Sequence, residues 1–308
     1  ATRRWRLSPG STILGVHGQT LWHQPPVRSP SVARPGYTIQ MLDGALLAQR
    51  TGFVSVSQFR QPDMAWGGQG APLAPTYHRL LAADGRFGAL PVAVQNIGGI
   101  SNLTYLGPGA RALAFDTGPG NALMDLAAAQ ATGGRARYDS SGRLAASGTA
   151  DWALVKRLAR DGYFKRKPPK STGRELFNES YLKRLGPRGP DAVATATALT
   201  AHTMAQAYAR VLPRSWPSPR VIYVAGGGAK NPTLMRWFTQ CLKEAGIQAR
   251  IQPLSTAGIN ESALEAAAFA RFGVEALLGR AVALPAFTGG ARLAPGAAVF
   301  GCAATPVL

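Results

Sequence analysis

Carboxylates are scarce in this sequence, so one that lies where a protein could use it for acid–base chemistry stands out. The 308 residues include only 15 Asp and Glu. Asp116 ends an apolar segment within AFDTGPGN, and two glycines follow it closely. Proteins of the α/β class place catalytic groups at the carboxyl end of a strand, before a glycine turn and a helix. Asp116 is therefore a candidate catalytic residue; the alternative is an Asx-turn or a cap on a helix that begins at Asn121.

Two more glycine turns are suited to phosphate binding. One is NIGGISN at residues 96–102, and the other is VAGGGAKNP at residues 224–232. Glycines let the backbone approach a phosphate closely, and a following helix adds a favourable dipole at its N-terminus. The sequence has no GxxxxGK(S/T) phosphate loop. Tight turns without a ligand remain the alternative for both segments.

Two further side chains are candidates of a weaker kind. His17, in GVHGQT, follows a short apolar run, and Glu265 lies inside a helical segment rich in Ala and Phe. A lone histidine more often has a structural role, which is favoured for His17. A carboxylate on a small-residue helix face needs a partner or a cleft, and an ordinary exposed helical glutamate is the alternative for Glu265.

Short apolar runs that alternate with helical patterns must position these residues. Strands are predicted at residues 12–16, 37–42, 53–57, 91–96, 103–106, 112–115, 221–225 and 249–254. Helices are predicted at residues 45–51, 121–132, 150–160, 191–212, 232–245 and 262–278. This alternation is typical of an α/β fold with a mainly parallel or mixed sheet.

The charge balance is strongly basic, with a formal net charge of +19. Charged residues make up 16% of the chain, against about 25% in typical proteins, so the excess reflects missing acids. One basic cluster comprises Lys156, Arg157, Arg160, Lys165, Arg166, Lys167, Lys170 and Arg174. It contains only two aromatic residues, and no nucleic-acid-binding motif is present. A solvated basic face is therefore favoured over specific nucleic-acid recognition.

Composition also bounds the class of protein. Hydrophobic residues make up 46% of the chain, which excludes a disordered protein, and the length favours two lobes. No apolar run reaches the ~18 residues that a membrane helix needs, and no secretory signal is apparent. Cys241 and Cys302 lack a CxxC partner, so neither a disulfide scaffold nor a zinc site is predicted. We expect a cytoplasmic protein with no membrane partner and no metal site built from its own side chains.

Taken together, several strings resemble one family in their order along the chain. They are HGQT, GGQGAPL, NIGGISNLT, FDTGPGN, KSTGRELFN, GGGAKNPTLM and EAAAFA. The family they resemble is that of the anhydro-N-acetylmuramic acid kinases, and the resemblance runs from His17 to Leu284. GGQGAPL, FDTGPGN and KSTGRELFN are long and unusual, which makes the resemblance specific.

The resemblance implies a two-lobed α/β fold of the actin and sugar-kinase type, which is ribonuclease H-like, with an incomplete first lobe. The first lobe is expected at residues 1–90, with the tail 284–308 returning to it. The second, nucleotide-binding lobe is expected at residues 91–283. A homodimer is a further expectation.

The resemblance also implies a reaction and a set of site residues. ATP, with Mg²⁺, would phosphorylate 1,6-anhydro-N-acetylmuramic acid and open its anhydro ring, giving N-acetylmuramic acid 6-phosphate for peptidoglycan recycling. Asp116 matches the catalytic base, and His17, Gln69 and Glu265 would bind the sugar. The implied nucleotide-binding residues are Asn96, Gly98, Gly99, Gly118, Gly226, Gly227, Gly228 and Asn231.

The chain departs from the family pattern in two places. It begins after the phosphate-binding turn with which the family opens, and Gln58, Gln61 and Pro62 replace the usual residues around FR and DM. Phosphoryl transfer depends on positioning, so these departures lead to an alternative expectation. In that alternative, the chain is a truncated or degenerate homologue that binds sugar or nucleotide without turnover.

Overall fold

A computed structural model describes residues 7–29, 32–109, 111–186, 189–291 and 293–301. The chain forms two compact units. The first unit comprises Ala1–Leu81 with Ser262–Leu308, and the second comprises Ala82–Glu261. Cys302 lies outside the described residues.

Strands and helices alternate along the chain. The strands are β1 (Ile13–Gly15), β2 (Gln19–Gln24), β3 (Val27–Ser29), β4 (Val32–Arg34), β5 (Tyr37–Met41), β6 (Val54–Ser57), β7 (Val92–Ile97), β8 (Ser101–Leu106), β9 (Ala112–Gly118), β10 (Val221–Ala225), β11 (Arg250–Pro253), β12 (Ala281–Ala283), β13 (Ala294–Pro295) and β14 (Ala298–Phe300). The helices are α1 (Gly44–Thr51), α2 (Gln61–Ala65), α3 (Ala74–Ala83), α4 (Ala122–Ala131), α5 (Arg143–Ser147), α6 (Trp152–Leu158), α7 (Gly162–Lys165), α8 (Glu179–Leu182), α9 (Pro190–Gln206), α10 (Pro232–Glu244), α11 (Leu264–Leu277) and α12 (Pro285–Thr288). Short 3₁₀ turns and a π-helical turn at Ala207–Val211 complete the described elements.

The first unit is built on a small mixed sheet. Strand β6 lies between β1, to which it is parallel, and β14, to which it is antiparallel. Helix α11 lies against β1 so closely that a Cβ on Gly15 would overlap the carbonyl oxygen of Phe269. Phe269 and Phe272 share a buried core with Val56 and Phe59. The absence of a side chain at Gly15 therefore allows α11 to join this unit.

This packing moves the boundary of the second unit. The sequence predicts a second lobe at residues 91–283, which would contain α11, whereas the compact unit ends at Glu261. The reason is that the apolar face of α11 finds its partners on β1 and β6.

The second unit contains the larger sheet. Within its described residues, five strands lie in the order β11–β10–β7–β8–β9. Strand β7 is parallel to β10 and antiparallel to β8, which is in turn antiparallel to β9. In chain order this is 3-2-1-4-5 read from the β9 edge, with only the second strand reversed. That order and those directions are the ones that define a ribonuclease H-like sheet, as the resemblance predicts.

Helix α9 runs through the core of the second unit. Its residues are mostly Ala and Thr, and nearly all of them are buried. Buried hydroxyls need hydrogen-bond partners. Thr197 donates to the carbonyl of Val193 within the helix, and Thr200 donates to the carbonyl of Gly120 at 2.8 Å. The second bond ties the FDTGPGN turn to the core.

Most of the predicted elements are confirmed. Each predicted strand and helix has a counterpart in the structure, with ends that differ by a few residues. The described elements without a predicted counterpart are mostly short: strands β2, β3, β4, β12, β13 and β14, and helices α2, α3, α5, α7, α8 and α12. In the described part of the chain, no helix is long and apolar enough to cross a membrane.

The first unit contains a histidine that should make its stability depend on pH. Burial lowers the pKa of His78, in α3, from 6.5 to about 4. The neutral form is therefore the one that folding favours. Its contribution is fully present above pH 6.5 and is lost as the pH falls from 6.5 toward 4, by on the order of 3 kcal/mol in total.

We expect His78→Gln, which cannot titrate, to flatten the loss of unfolding free energy between pH 7 and pH 4.5. Urea denaturation at a series of pH values would measure it. His202→Gln should flatten the slope less, because burial lowers the pKa of His202 by a smaller amount. An unchanged pH slope in His78→Gln would contradict the assignment.

Candidate active site

Three glycine turns of the second unit pack against one another. The backbone N–H of Asn121 donates to the carbonyl of Gly98 at 2.8 Å, and the N–H of Ala122 donates to that of Gly99 at 3.0 Å. A Cβ on Gly226, which has a φ of 85°, would lie 2.7 Å from the carbonyl oxygen of Ile97. Only glycine allows this approach. The turns after β7, β9 and β10 therefore meet at the start of α4.

The glycines in these turns serve two purposes. A Cβ on Gly228 would overlap the side chain of Ile97, so Gly228 permits close packing. Gly227 and Gly98 are different, because the nearest atoms to a Cβ there lie at 3.4 Å and 3.6 Å. These two positions leave space for a ligand to approach the backbone, as phosphate binding requires.

A cavity of about 530 Å³ opens beside these turns. Its lining includes Gly227 and Gly228, the cations Arg137 and Lys230, and the carboxylates Asp125 and Asp139. A volume of this size suits a small-molecule ligand, and two cations with two carboxylates suit a phosphate group that is bound together with a metal ion. Sequence reasoning missed Arg137, which is distant from every glycine motif in the sequence.

Asn231 is the N-cap residue of α10, a structural role that the sequence analysis does not predict. Its side-chain oxygen accepts a hydrogen bond from the N–H of Leu234 at 3.0 Å and so caps α10. Pro232 follows at the first helical position, where its missing N–H costs nothing. Asn231 also lines the cavity.

Asp116 lies near the end of β9, and a neighbouring loop holds it in place. Its carboxylate Oδ2 accepts a hydrogen bond from the N–H of Thr172 at 2.9 Å. Its own N–H donates to the carbonyl of Lys170 at 3.2 Å, and its carbonyl accepts from the hydroxyl of Tyr163 at 2.7 Å. The carboxylate therefore binds the loop at residues 170–172 and does not cap α4, whose N-cap Asn121 makes no side-chain capping bond.

The surroundings of Asp116 suit a group that exchanges a proton. Burial raises the pKa of Asp116 from 3.8 to about 6, the Thr172 hydrogen bond lowers it, and the charge of Glu175 raises it again. A base with a pKa just below neutrality is ionised at physiological pH and can still accept a proton readily.

Asp125 is a second perturbed carboxylate, and the sequence analysis did not single it out. It lies in the first turn of α4 and lines the same cavity as Gly227. Burial raises its pKa to about 6, while the charge of Arg174 lowers it. The signal in the sequence was its position four residues after Asn121, which is one helical turn from the glycine turn.

In the first unit, His17 and Arg60 form a pair. The Arg60 Nε donates to His17 Nε2 at 2.8 Å, and His17 Nδ1 lies 2.7 Å from the carbonyl of Gly18. Since arginine can only donate, His17 is neutral, with its proton on Nδ1. Burial lowers the pKa of His17, which agrees with this form. Arg60 also donates to the carbonyl of Gly70 at 2.7 Å.

Glu265 lies in the first turn of α11 and is exposed. Its charge raises the pKa values of His17 and Arg60, against the lowering effect of burial on both. The structure therefore places Glu265 within electrostatic range of the His17–Arg60 pair.

Gln69 belongs to the loop GGQG, which Asp63 organises. Asp63 is 1% exposed, its Oδ2 accepts from the N–H of Gly70 at 2.7 Å, and its Oδ1 accepts from the hydroxyl of Thr288 at 2.6 Å. The N–H of Gln69 donates to the carbonyl of Thr288 at 2.9 Å. A Cβ on Gly68 would overlap the Asp63 carboxylate. The loop is thus wrapped around one buried carboxylate.

The described residues contain no cluster of three or more His, Cys, Asp or Glu that could hold a metal ion. The carboxylates of the glycine-lined cavity still fit Mg²⁺ bound with a nucleotide, because that ion usually takes one or two carboxylates together with substrate phosphates. Asp125 lies in the glycine-lined cavity and supplies one such carboxylate.

The ribonuclease H-like sheet, with glycine turns and an acidic residue at its strand ends, places the chain in the actin and sugar-kinase fold class. A sequence profile described as anhydro-N-acetylmuramic acid kinase matches residues 3–302. The chain belongs to the anhydro-N-acetylmuramic acid kinase family. The resemblance in the sequence is therefore confirmed, and with it an ATP-using kinase family.

Two relatives illustrate the similarity. An anhydro-N-acetylmuramic acid kinase of Gloeobacter violaceus is 40% identical over 290 residues, which cover 92% of this chain and 72% of the relative. One of Bordetella parapertussis is 42% identical over 293 residues, which cover 92% and 71%. Among solved structures, an activator of the 2-hydroxyisocaproyl-CoA dehydratase from Clostridium difficile with bound ADPNP has a TM-score of 0.33 at 12% identity over 79% of this chain and 89% of that one. A TM-score this low supports no inference.

The role of Asp63 leads to a test of the GGQG loop. Asp63→Asn replaces an oxygen acceptor with an NH₂ group that faces either the Gly70 N–H or the Thr288 hydroxyl. We expect a loss of about 1–3 kcal/mol in unfolding free energy, because a buried hydrogen bond to a charged group is lost.

Urea denaturation would measure this loss. Asp43→Asn is the matched control, because Asp43 caps α1 by accepting from Leu46 N–H and Asn caps equally well. Equal stability of Asp63→Asn and Asp43→Asn would show that the buried carboxylate does not hold the loop.

Proposed function

We propose that the protein phosphorylates 1,6-anhydro-N-acetylmuramic acid with ATP and opens its anhydro ring, as a step in peptidoglycan recycling. Family membership supports the kinase activity. The observation that carries the ring-opening chemistry is the buried Asp116 carboxylate, whose pKa of about 6 fits a general base.

In this proposal, Asp116 takes a proton from a water molecule, and the water oxygen forms a bond to C1 of the sugar. The bond between C1 and the bridging oxygen breaks, and that oxygen attacks the γ-phosphorus of ATP. ADP leaves, and the product is N-acetylmuramic acid 6-phosphate. The geometry is that of an inverting glycosidase in which a phosphoryl group, and not an acid, captures the leaving oxygen.

The remaining residues have positioning roles. The glycine turns at Gly98, Gly118 and Gly226–Gly228 would hold the ATP phosphates together with Lys230. Asp125 would hold Mg²⁺, which neutralises phosphate charge when bound.

His17, Gln69 and Glu265 would bind the sugar. His17 can offer no proton from Nε2 while Arg60 donates to that atom. The guanidinium of Arg60 is therefore an additional candidate for contacting the sugar. The protein is expected to act in the cytoplasm.

Asp116→Asn tests the base directly. The substitution keeps the size of the side chain but removes proton acceptance, so kcat should fall by roughly 10²–10⁴-fold.

The unfolding free energy of Asp116→Asn should rise, although its turnover falls. The neutral form of Asp116 contributes stability below pH 3.8 that is lost as the pH rises through about 6. Asp116→Asn removes that loss, so unfolding free energy should rise at pH 8, by at most about 3 kcal/mol.

ADP release with the anhydro sugar would measure turnover, and urea denaturation would measure stability. A structural role alone predicts lower stability with normal turnover. Near-normal turnover in Asp116→Asn would remove Asp116 as the base.

Glu175→Gln gives a finer test of the same residue. The Glu175 charge raises the pKa of Asp116, so its removal should lower that pKa and move the acid limb of the kcat/KM profile to lower pH. The rate on the plateau should change little. Glu179→Gln, on the adjacent helix α8, is the control. An acid limb that stays in place in Glu175→Gln would contradict the link between Asp116 and the limb.

A second candidate function is binding without turnover, and one observation favours it. Gln58, which replaces the usual Asp before FR, has a φ of 59°. This left-handed conformation suits Asp or Asn better than Gln. The loop that carries Arg60 therefore begins with a strained residue. Normal binding of the anhydro sugar and of ATP, with no ADP formed, would support this second function.

A further inference from the structure

A second cavity in the second unit, of about 680 Å³, meets the glycine turns only at Thr117 of FDTGPGN. Seven of its lining residues carry a positive charge: Arg160, Lys165, Arg166, Lys167, Lys170, Arg210 and Arg214. No Asp or Glu appears among its lining residues in the described part of the chain. We name it the basic cavity. Several of its cations belong to the basic cluster of the sequence; of the seven, only Lys170 is buried, and the other six are exposed to solvent.

Lys170 is the buried cation of this cavity. It is 5% exposed, and its Nζ lies 4.9 Å from the centre of the Tyr163 ring and 5.4 Å from that of the Phe115 ring. Its hydrogen bonds, to the carbonyls of Tyr163 and Phe164, are long, at 3.5 Å and 3.4 Å. Buried ammonium groups normally have a carboxylate partner. Lys170 forms no described ion pair and contacts aromatic rings and carbonyls instead, while the charge of Asp116 acts on it only from a distance and raises its pKa against the lowering effect of burial. Its ammonium group is therefore available to an anion.

Another part of the lining of the basic cavity is an irregular helical turn. The π-helical turn Ala207–Val211 follows α9 and carries Arg210 into the lining. Such turns occur often at functional sites. Just before it, Gln206 lines the cavity, and its buried Oε1 has no hydrogen-bond partner. A ligand that also carries a hydroxyl or amide donor would satisfy that atom.

The size and lining of the cavity limit the class of ligand. A concave space of 680 Å³ suits a small molecule and not a nucleic-acid duplex. The apolar part of the lining includes Phe164, Leu212 and Pro213. Seven cations with no carboxylate among the described lining residues give the cavity a positive potential, which attracts an anion with several charges. Arginine and lysine together are the usual partners of phosphate groups.

We propose that the basic cavity is a second ligand site, which binds a small organic molecule bearing two or more phosphate groups. The loop that forms one wall, at residues 165–170, continues to Thr172, whose N–H binds the Asp116 carboxylate. A ligand in the cavity therefore orders the same loop that holds Asp116.

Inorganic triphosphate is the probe for the test, added at 150 mM KCl to the full chain saturated with a non-hydrolysable ATP analogue. Calorimetry measures its affinity for three proteins: the native chain, Arg166→Gln/Arg210→Gln, and the control Lys243→Gln/Arg250→Gln. The control removes the same charge from exposed positions outside the cavity. We expect affinity to fall more than tenfold in the cavity variant and less than twofold in the control. Lys170→Met should also lose more than tenfold, with melting temperature reported for every variant.

Hydrogen exchange locates the bound probe independently of affinity. Amides at residues 165–172 should exchange more slowly with triphosphate present. Slowing confined to residues 96–102 and 224–232 would place the probe in the glycine-lined cavity and overturn the proposal. Equal losses in the two double variants would overturn it as unspecific charge attraction. Tighter binding of a single-stranded RNA than of triphosphate, lost in the same cavity variant, would overturn it in favour of an RNA site.

Discussion

The hydrogen bonds between Asp116 and the loop at residues 170–172 are the constraint on which the second unit's chemistry depends. They hold a carboxylate in a largely buried position, with one backbone N–H as its partner. Burial raises the pKa of that carboxylate, and a single hydrogen bond offsets the effect only in part. The protein gives up some stability at neutral pH to keep this group ionised and reactive. The hydroxyl of Tyr163 also donates a hydrogen bond to the backbone carbonyl of Asp116 and so helps to fix its position.

Close packing of glycine turns forms the cavity that Gly227 and Asp125 line. Gly120 and Gly226 have positive φ values, and a Cβ on either would meet a backbone atom of the turn after β7. The turns can therefore meet only if these positions are glycine. Thr200 anchors one of them to the buried helix α9. The first unit is organised differently. The buried carboxylate of Asp63 accepts hydrogen bonds from the N–H of Gly70 and from the hydroxyl of Thr288.

Local pattern predicted many of the elements and the position of Asp116 near the end of a strand, because strand runs, glycine turns and helix signals act over a few residues. It was not sufficient for contacts that close over long separations. Thr288 meets Asp63 across 225 positions, and Thr172 meets Asp116 across 56. Helix α11 was assigned to the second lobe because nothing in its own sequence reveals that Gly15 makes room for it. The burial of Lys170 was likewise invisible, since a charge run does not show which of its members is buried.

The titration of Asp116 itself tests the central claim most directly. Carbon-13 NMR of the labelled side-chain carboxyl, with Asp116→Asn used to assign the signal, reports its protonation without any substrate. The account predicts a pKa near the value of about 6 that burial produces. A midpoint at or below the ordinary value of 3.8 would show that Asp116 is a well-solvated or strongly paired carboxylate, and the account of it as a poised base would be wrong.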